Sequence, residues 1–227
     1  MNDVTAREKR RILVELIISI IIAYLLGSIS FSYVIARKVK KIDIRKHGSG
    51  NAGATNILRV LGKGPAILVL SLDVLKGVAA VWIAKWLELT EVLPTFTTLG
   101  EIEGLASAMA GAAAILGHNW PIYYGFKGGK GVATTIGVVA SLVFFPSIYV
   151  GIVAILAIVL TRYVSLGSLI FAVGTPILIG FTKSHYGHPD PYFYLTAVFG
   201  LLTIWKHRTN VERLLKGTEN KIGKKIS

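Results

Sequence analysis

The sequence predicts an all-α integral membrane protein, a polytopic bundle of about seven transmembrane helices with short polar motifs between them. Three observations lead there. The chain is 53% hydrophobic and only 16% charged over 227 residues, far more apolar than a soluble domain of that length. Mean hydropathy is +0.62, and several apolar runs approach or reach the length that crosses a bilayer. The net charge of +13 is confined to a few segments, as expected for loops against an anionic leaflet or for an anionic substrate. In this setting that charge does not point to nucleic acid. With no cysteine, disulfides and thiol chemistry are excluded.

In chain order, residues 1–11 read as a polar arm and 12–36 as the first span. That span is too long, and lacks the small-residue site, for a cleaved signal. Its second half, Gly27-Ser28-Ile29-Ser30-Phe31-Ser32, suits close helix packing. The basic stretch 37–46 leads into a glycine-rich loop, 47–59. Residues 65–87 form the second span, with Trp82 and Trp86 at its far interface. Asp73 and Lys76 share one face of it; ionisable residues at that depth need a reason. A buried packing pair is the plainer one, a reach toward the site the other.

Residues 88–103 carry four glutamates and no Lys or Arg, marking the opposite face. A short span, 105–116, leads into a second glycine-rich loop. Residues 132–160 are apolar but interrupted at Phe145-Pro146, so they read as one bent helix or as two turning at Pro146. The stretch 162–168 reads as a basic, hydroxylated turn, 169–181 as a short span, 183–190 as a turn and 191–205 as the last span. The basic tail, 206–227, places His207, Asn210, Val211 and Leu214 on one helical face and stops at Gly217. The whole reads as one membrane-embedded domain over 1–227, with the tail completing the site.

Two crossings for the interrupted run give seven spans, with the N-terminus outside and the C-terminus cytoplasmic. Eighteen of the 25 Lys and Arg residues then lie on the cytoplasmic side, as the positive-inside rule requires. Arg7, Lys9, Arg10 and Arg11 fall on the outer side against that rule. A six-span arrangement with the N-terminus inside relieves this but separates the glycine-rich loops.

The chemistry centres on GHNWPIYYGFKGGKGVATT, residues 117–135. Gly125, Gly128, Gly129 and Gly131 allow tight backbone turns. Clustered amides followed by a helix start make an anion site, to which Lys127 and Lys130 add full charge. The pattern is not a nucleotide P-loop: three residues, not four, separate Gly125 from Gly129, and no Ser or Thr follows Lys130. On the seven-span arrangement this loop meets 47–59, 162–168 and the tail on one face. Arg59, Lys127, Lys130, Arg162 and His207 supply basic groups there. Asn51, Thr55, Asn56 and His118 are further polar candidates for substrate contact, and Glu219 is the main carboxylate. No His/Asp/Glu cluster has metal-ligand spacing, no cofactor motif appears, and no Gly-x-Ser-x-Gly elbow supports hydrolase chemistry.

HGSGNAGATNILR, GHNWPIYYGFKGGKGVAT, RYVSLGS and HRTNVERLLKGTENK, with GSISFSYVIARK and DVLKG in the first two spans, resemble the motifs of the bacterial acyl-phosphate:glycerol-3-phosphate acyltransferases, the PlsY family. They stand in family order over nearly all the chain after residue 20. The resemblance implies a bacterial inner-membrane enzyme with a cytoplasmic site. It implies acyl transfer from acyl phosphate to the 1-hydroxyl of glycerol 3-phosphate, giving lysophosphatidate and orthophosphate with no direct use of acyl-CoA or acyl carrier protein. It places Arg59 on a substrate phosphate and Ser49 as a hydrogen-bond positioner, with Gly128, Gly129, Lys130 and Gly131 as the phosphate loop. Ser165 matches the third motif, and His207, Asn210 and Glu219 match the tail signature. The activated donor can take the hydroxyl proton itself, so no base–nucleophile dyad is required. His185-Tyr-Gly-His-Pro-Asp190 carries the His-x4-Asp spacing of a different acyltransferase family, but on the opposite face. A transporter of a phosphorylated anion is the competing class; against it stand the absence of an internal repeat and the interfacial position of the motifs.

Overall fold

The computed structural model describes residues 2–89 and 102–223. Those residues form ten α-helices and no strand: α1 Asn2–Gly27, α2 Phe31–Lys40, α3 Ala54–Leu61, α4 Lys63–Leu89, α5 Leu105–Asn119, α6 Val132–Leu142, α7 Phe144–Thr161, α8 Val164–Tyr186, α9 Asp190–Lys206 and α10 Arg208–Leu215. Four stretches among them are long and apolar enough to cross a membrane, the first running Leu16–Lys40 from α1 through α2 and the others lying in α4, α7 and α8. Most of the acidic segment 88–103 lies outside the described residues.

Several boundaries differ from the sequence reading. The polar arm is helix, continuous with α1 from Asn2. The first span is broken at Ser28–Ser30; the carbonyl of Ile29, left without a helical partner there, accepts a hydrogen bond from Lys76 Nζ at 2.7 Å. The long apolar run breaks at Val143 (φ −138°, ψ 68°), not at Pro146. Pro146 lies in the first turn of α7, where its missing N–H has no helical acceptor to lose. The stretch 162–168 is not a turn: only Arg162 (φ 63°) and Tyr163 precede α8, so Ser165 stands in its first turn. At the other end α8 continues to Tyr186 and stops at Gly187 (φ 64°), which shortens the expected 183–190 turn.

The helices pack closely because small residues line their crossings. On α4 and α6, a Cβ added to Gly77 would stand 2.4 Å from the Thr134 carbonyl oxygen, and one on Gly137 2.1 Å from that of Val74. A Cβ on Gly27 of α1 would meet Ala114 of α5 at 2.2 Å. Pro176 inside α8 cannot donate to the Ala172 carbonyl, and Gly200 lets α9 approach that oxygen, a Cβ there standing 2.6 Å away.

These contacts also set direction. Asp73 lies near His118, and Val81 near Gly111, so α4 and α5 run antiparallel. Gly77 meets Thr134 and Lys85 Nζ reaches the Ser141 carbonyl at 2.8 Å, so α4 and α6 run the same way. Lys130, just before α6, and Arg162, just after α7, both touch residues of the 207–222 tail. The two helices therefore go out and back, reversing at Val143.

The α4–α6 crossing is sensitive to a single side chain. Gly77→Val drives the two helices apart, at an overpacking cost of about 1–3 kcal/mol. A Cβ on Gly151 in α7 meets nothing within 4 Å, so Gly151→Ala leaves stability unchanged or slightly raised. Thermal unfolding of both variants in detergent checks the contrast; equal midpoints would remove the crossing as a constraint.

Candidate functional site

The first glycine-rich loop is organised from inside by Asn56, which is fully buried. Its amide donates to the carbonyls of Ile44, His47 and Asn51 at 3.2, 3.0 and 3.0 Å, while its Oδ1 accepts the Ser49 N–H at 2.9 Å. Asn56 thus scaffolds the loop, and its polar atoms are used within it. Asn51 contributes its carbonyl to the same network; Thr55, in the first turn of α3, is half-buried, and Ser49 is exposed at the loop's surface. Arg45 ties this loop to the second: it pairs with Asp43 at 2.8 Å and donates to the Tyr124 carbonyl at 2.9 Å.

In the second loop the glycines have a reason the sequence did not give. Gly129 N–H donates to the His118 carbonyl at 3.1 Å. A Cβ on Gly128 would stand 2.0 Å from that same oxygen, and one on Gly129 2.5 Å from the Ala52 carbonyl of the first loop. Gly131 has φ +80° and packs on Asn119. The missing side chains let the strand of glycines lie flat on the end of α5 and against the other loop. His118 is buried, with Nδ1 3.6 Å from Asp73 Oδ1, so it faces inward. Lys127 is exposed at the rim, while Lys130 is half-buried and points to the tail.

The tail closes the arrangement. α10 presents Asn210 and Arg213 on one face, and the chain turns at Gly217 (φ 66°) to bring back Glu219. Asn210 Nδ2 and Arg213 Nε each donate to Glu219 at 2.8 Å, and Asn210 Oδ1 accepts from Lys130 Nζ. Ile222 N–H donates to the Arg162 carbonyl at 2.9 Å, and Lys221 lies 5.4 Å from the Tyr163 ring centre. Ser165, buried at the start of α8, adds its hydroxyl to the surroundings of Glu219.

Charge is unbalanced at this point. Arg59, Lys130 and Arg213 share one carboxylate, Glu219. Burial, followed by the repulsion of Arg213, pushes Lys130 down to about 8. Burial also lowers Arg59, against the pull of Glu219. Glu219 is held below the usual carboxylate range: its burial works the other way but is outweighed by hydrogen bonds from Arg213 and Asn210. His207 is buried with Nδ1 2.8 Å from the Thr203 carbonyl. A carbonyl only accepts, so Nδ1 carries the hydrogen and Nε2 the lone pair. Burial and the charge of Lys130 push this histidine down to about 4, so it is neutral near pH 7.

The site thus brings Arg59, Lys130, His207, Asn210, Ser165 and Glu219 together, with Ser49 and Thr55 on the adjoining loop. It leaves Asn56 and His118 beneath the loops. Arg213 escaped the sequence reading. The available signal was a lone Glu219 in a basic tail, which needs a cationic partner, and Arg213 lies one helical turn beyond Asn210. His185 and Asp190 are at the far end of α8 from Ser165, roughly 30 Å along the helix at 1.5 Å per residue; Asp190 pairs there with Lys183 at 2.5 Å.

The family model described as glycerol-3-phosphate acyltransferase matches residues 17–217. A glycerol-3-phosphate acyltransferase of Shouchella clausii is 59% identical, covering 94% of this chain and 98% of its own. One of Halalkalibacterium halodurans is 57% identical over 89% and 93%. The crystal structure of PlsY, an integral membrane glycerol 3-phosphate acyltransferase, in its glycerol 3-phosphate form is 37% identical, with a TM-score of 0.78 over 92% of this chain and 96% of that one. Its lysophosphatidic acid form gives 36% and 0.76. The chain therefore belongs to the glycerol-3-phosphate acyltransferase family.

Proposed function

We propose that this protein transfers an acyl group from acyl phosphate to the 1-hydroxyl of glycerol 3-phosphate, at the cytoplasmic face of a bacterial inner membrane. The observation that carries the reading is the cluster of Arg59, Lys130 and Arg213 around a single carboxylate. A site with excess, half-buried positive charge beside a glycine-rich loop accommodates two phosphates. Relatives of this chain carry the name glycerol-3-phosphate acyltransferase, and solved relatives hold glycerol 3-phosphate and lysophosphatidic acid forms.

The hydroxyl oxygen attacks the acyl carbon, the bond to phosphate breaks, and the hydroxyl proton passes to a phosphate oxygen of the leaving group. Orthophosphate and 1-acylglycerol 3-phosphate result. A neutral His207 with a depressed pKa is a weak base, which favours this substrate-assisted route. Arg59 and Lys130 hold phosphate oxygens, Ser49 and Thr55 orient the glycerol end, and Asn210 positions Lys130 while Glu219 holds Asn210.

We read seven crossings, with the N-terminus outside, from the antiparallel course of α4 and α5 and from the reversals at Val143 and at Gly187. The four motif segments then lie at one end of the bundle. α6, with 11 residues, is about 16 Å long, so it and α7 form an unequal hairpin.

Purified protein given glycerol 3-phosphate and palmitoyl phosphate releases orthophosphate and lysophosphatidate in equal amounts, and palmitoyl-CoA supports no turnover. Turnover only with the CoA ester would overturn the donor assignment. Arg59→Ala and Lys130→Ala each lower kcat/KM at least ~100-fold with the protein still folded, whereas His185→Ala stays within about twofold; a dead His185→Ala enzyme would move the chemistry to the other end of α8.

The pH dependence has a defined sign. Lys130 is charged below its folded value of about 8 and loses charge above it. Phosphate esters, with a second pKa near ~6, are already dianionic there. The KM for glycerol 3-phosphate is therefore flat from about pH 7 to 8 and rises toward tenfold per unit above. A flat KM to pH 10 would detach Lys130 from phosphate binding.

A further inference from the structure

Asp73 and Lys76 of α4 are a buried ion pair, Nζ to Oδ1 3.0 Å, with side chains 2% and 1% exposed. Replacing such a pair by apolar residues is often neutral for stability, so helix packing alone does not account for charge at this depth. Each partner reaches onward. Lys76 donates to the Ile29 carbonyl in the α1–α2 break. Asp73 Oδ1 faces His118 Nδ1 at 3.6 Å. The opposite edge of that ring supports the second loop: Nε2 is 2.2 Å from where a Cβ on Gly129 would stand. The His118 carbonyl also accepts the Gly129 N–H, and Gly129 abuts the Ala52 carbonyl of the first loop. One imidazole therefore links an intramembrane carboxylate to the contact between the two glycine-rich loops.

We propose that Asp73, Lys76 and His118 form a positioning set for phosphate binding. Lys76 holds the carboxylate against the helix break, the carboxylate orients the imidazole, and the imidazole fixes the register of Gly128–Gly131 and so of Lys130. None of the three touches substrate. The inference rests on the reading of the second loop as a phosphate loop.

The test uses the full-length enzyme and three variants: Asp73→Leu/Lys76→Met, which removes both charges at similar volume, His118→Gln and His118→Ala. Unfolding midpoint, kcat and KM for glycerol 3-phosphate and for palmitoyl phosphate are measured on each. The double variant keeps a midpoint close to the parent, while KM for at least one phosphate substrate rises tenfold or more and kcat changes less. His118→Gln recovers part of the KM lost in His118→Ala. Parental KM values in the double variant, or in His118→Gln should the double variant fail to fold, would overturn the proposal, as would activity losses that only track the folded fraction. Lys130→Ala separates the two levels: if it is active, the phosphate-loop reading itself falls, whereas an inactive Lys130→Ala beside a parental double variant removes only the positioning set.

Discussion

Glu219 is the constraint on which the site depends. Three cationic side chains converge where the loops meet, and two unit charges about 4 Å apart repel by roughly 4 kcal/mol at an effective dielectric near 20. One carboxylate, gripping Asn210 with one oxygen and Arg213 with the other, holds the assembly while leaving most of the positive charge uncompensated. A second carboxylate would leave only one of the three charges uncompensated, and without Glu219 all three would face one another. The depressed pKa values of Lys130 and His207 come first from burial and then from neighbouring positive charge: both groups sit where a further cation is costly.

The glycines divide into those that make the bundle and those that make the site, and both act by close approach. Gly77 and Gly137 bring α4 against α6, and Gly128 and Gly129 lay the second loop on the end of α5. Because α4 also carries Asp73 and Lys76, the same helix that packs on α6 through its glycine reaches α5 and the α1–α2 break through its charges. Loop geometry at the interface is thereby anchored to packing deeper in the bundle.

Much of this was legible in the sequence. Apolar run lengths marked most of the helices, and the basic segments singled out by their Lys and Arg do meet at one end of the bundle. Density of glycine, lysine and polar residues marked the two loops and the tail. What stayed hidden was decided by tertiary contacts. The break at Ser28–Ser30 is supported by Lys76 from another helix, and the local Gly-Ser stretch fits close helix packing as well as it fits a break. Pro146 drew the expected turn to itself because proline is a helix breaker in the interior, yet a first-turn position tolerates it. Asn56 and His118 look like ligands in a list of polar residues; only the network of carbonyls around Asn56, and Asp73 beside His118, turn them inward. Arg213 was passed over because the helical face was drawn through His207, Asn210 and Leu214, and its partner is brought back only by the turn at Gly217.

The return of residues 207–222 to Lys130 and Arg162 has a consequence for biosynthesis. Every apolar helix of the described chain is made before this segment, so a nascent protein whose helices have all entered the bilayer still lacks Asn210, Arg213 and Glu219. Until they arrive, the cations of the earlier loops face one another without their carboxylate. On the proposed assignment of the site, chemical competence therefore waits until translation has passed the last apolar helix, and a product truncated near Lys206 would carry every described apolar helix without these groups.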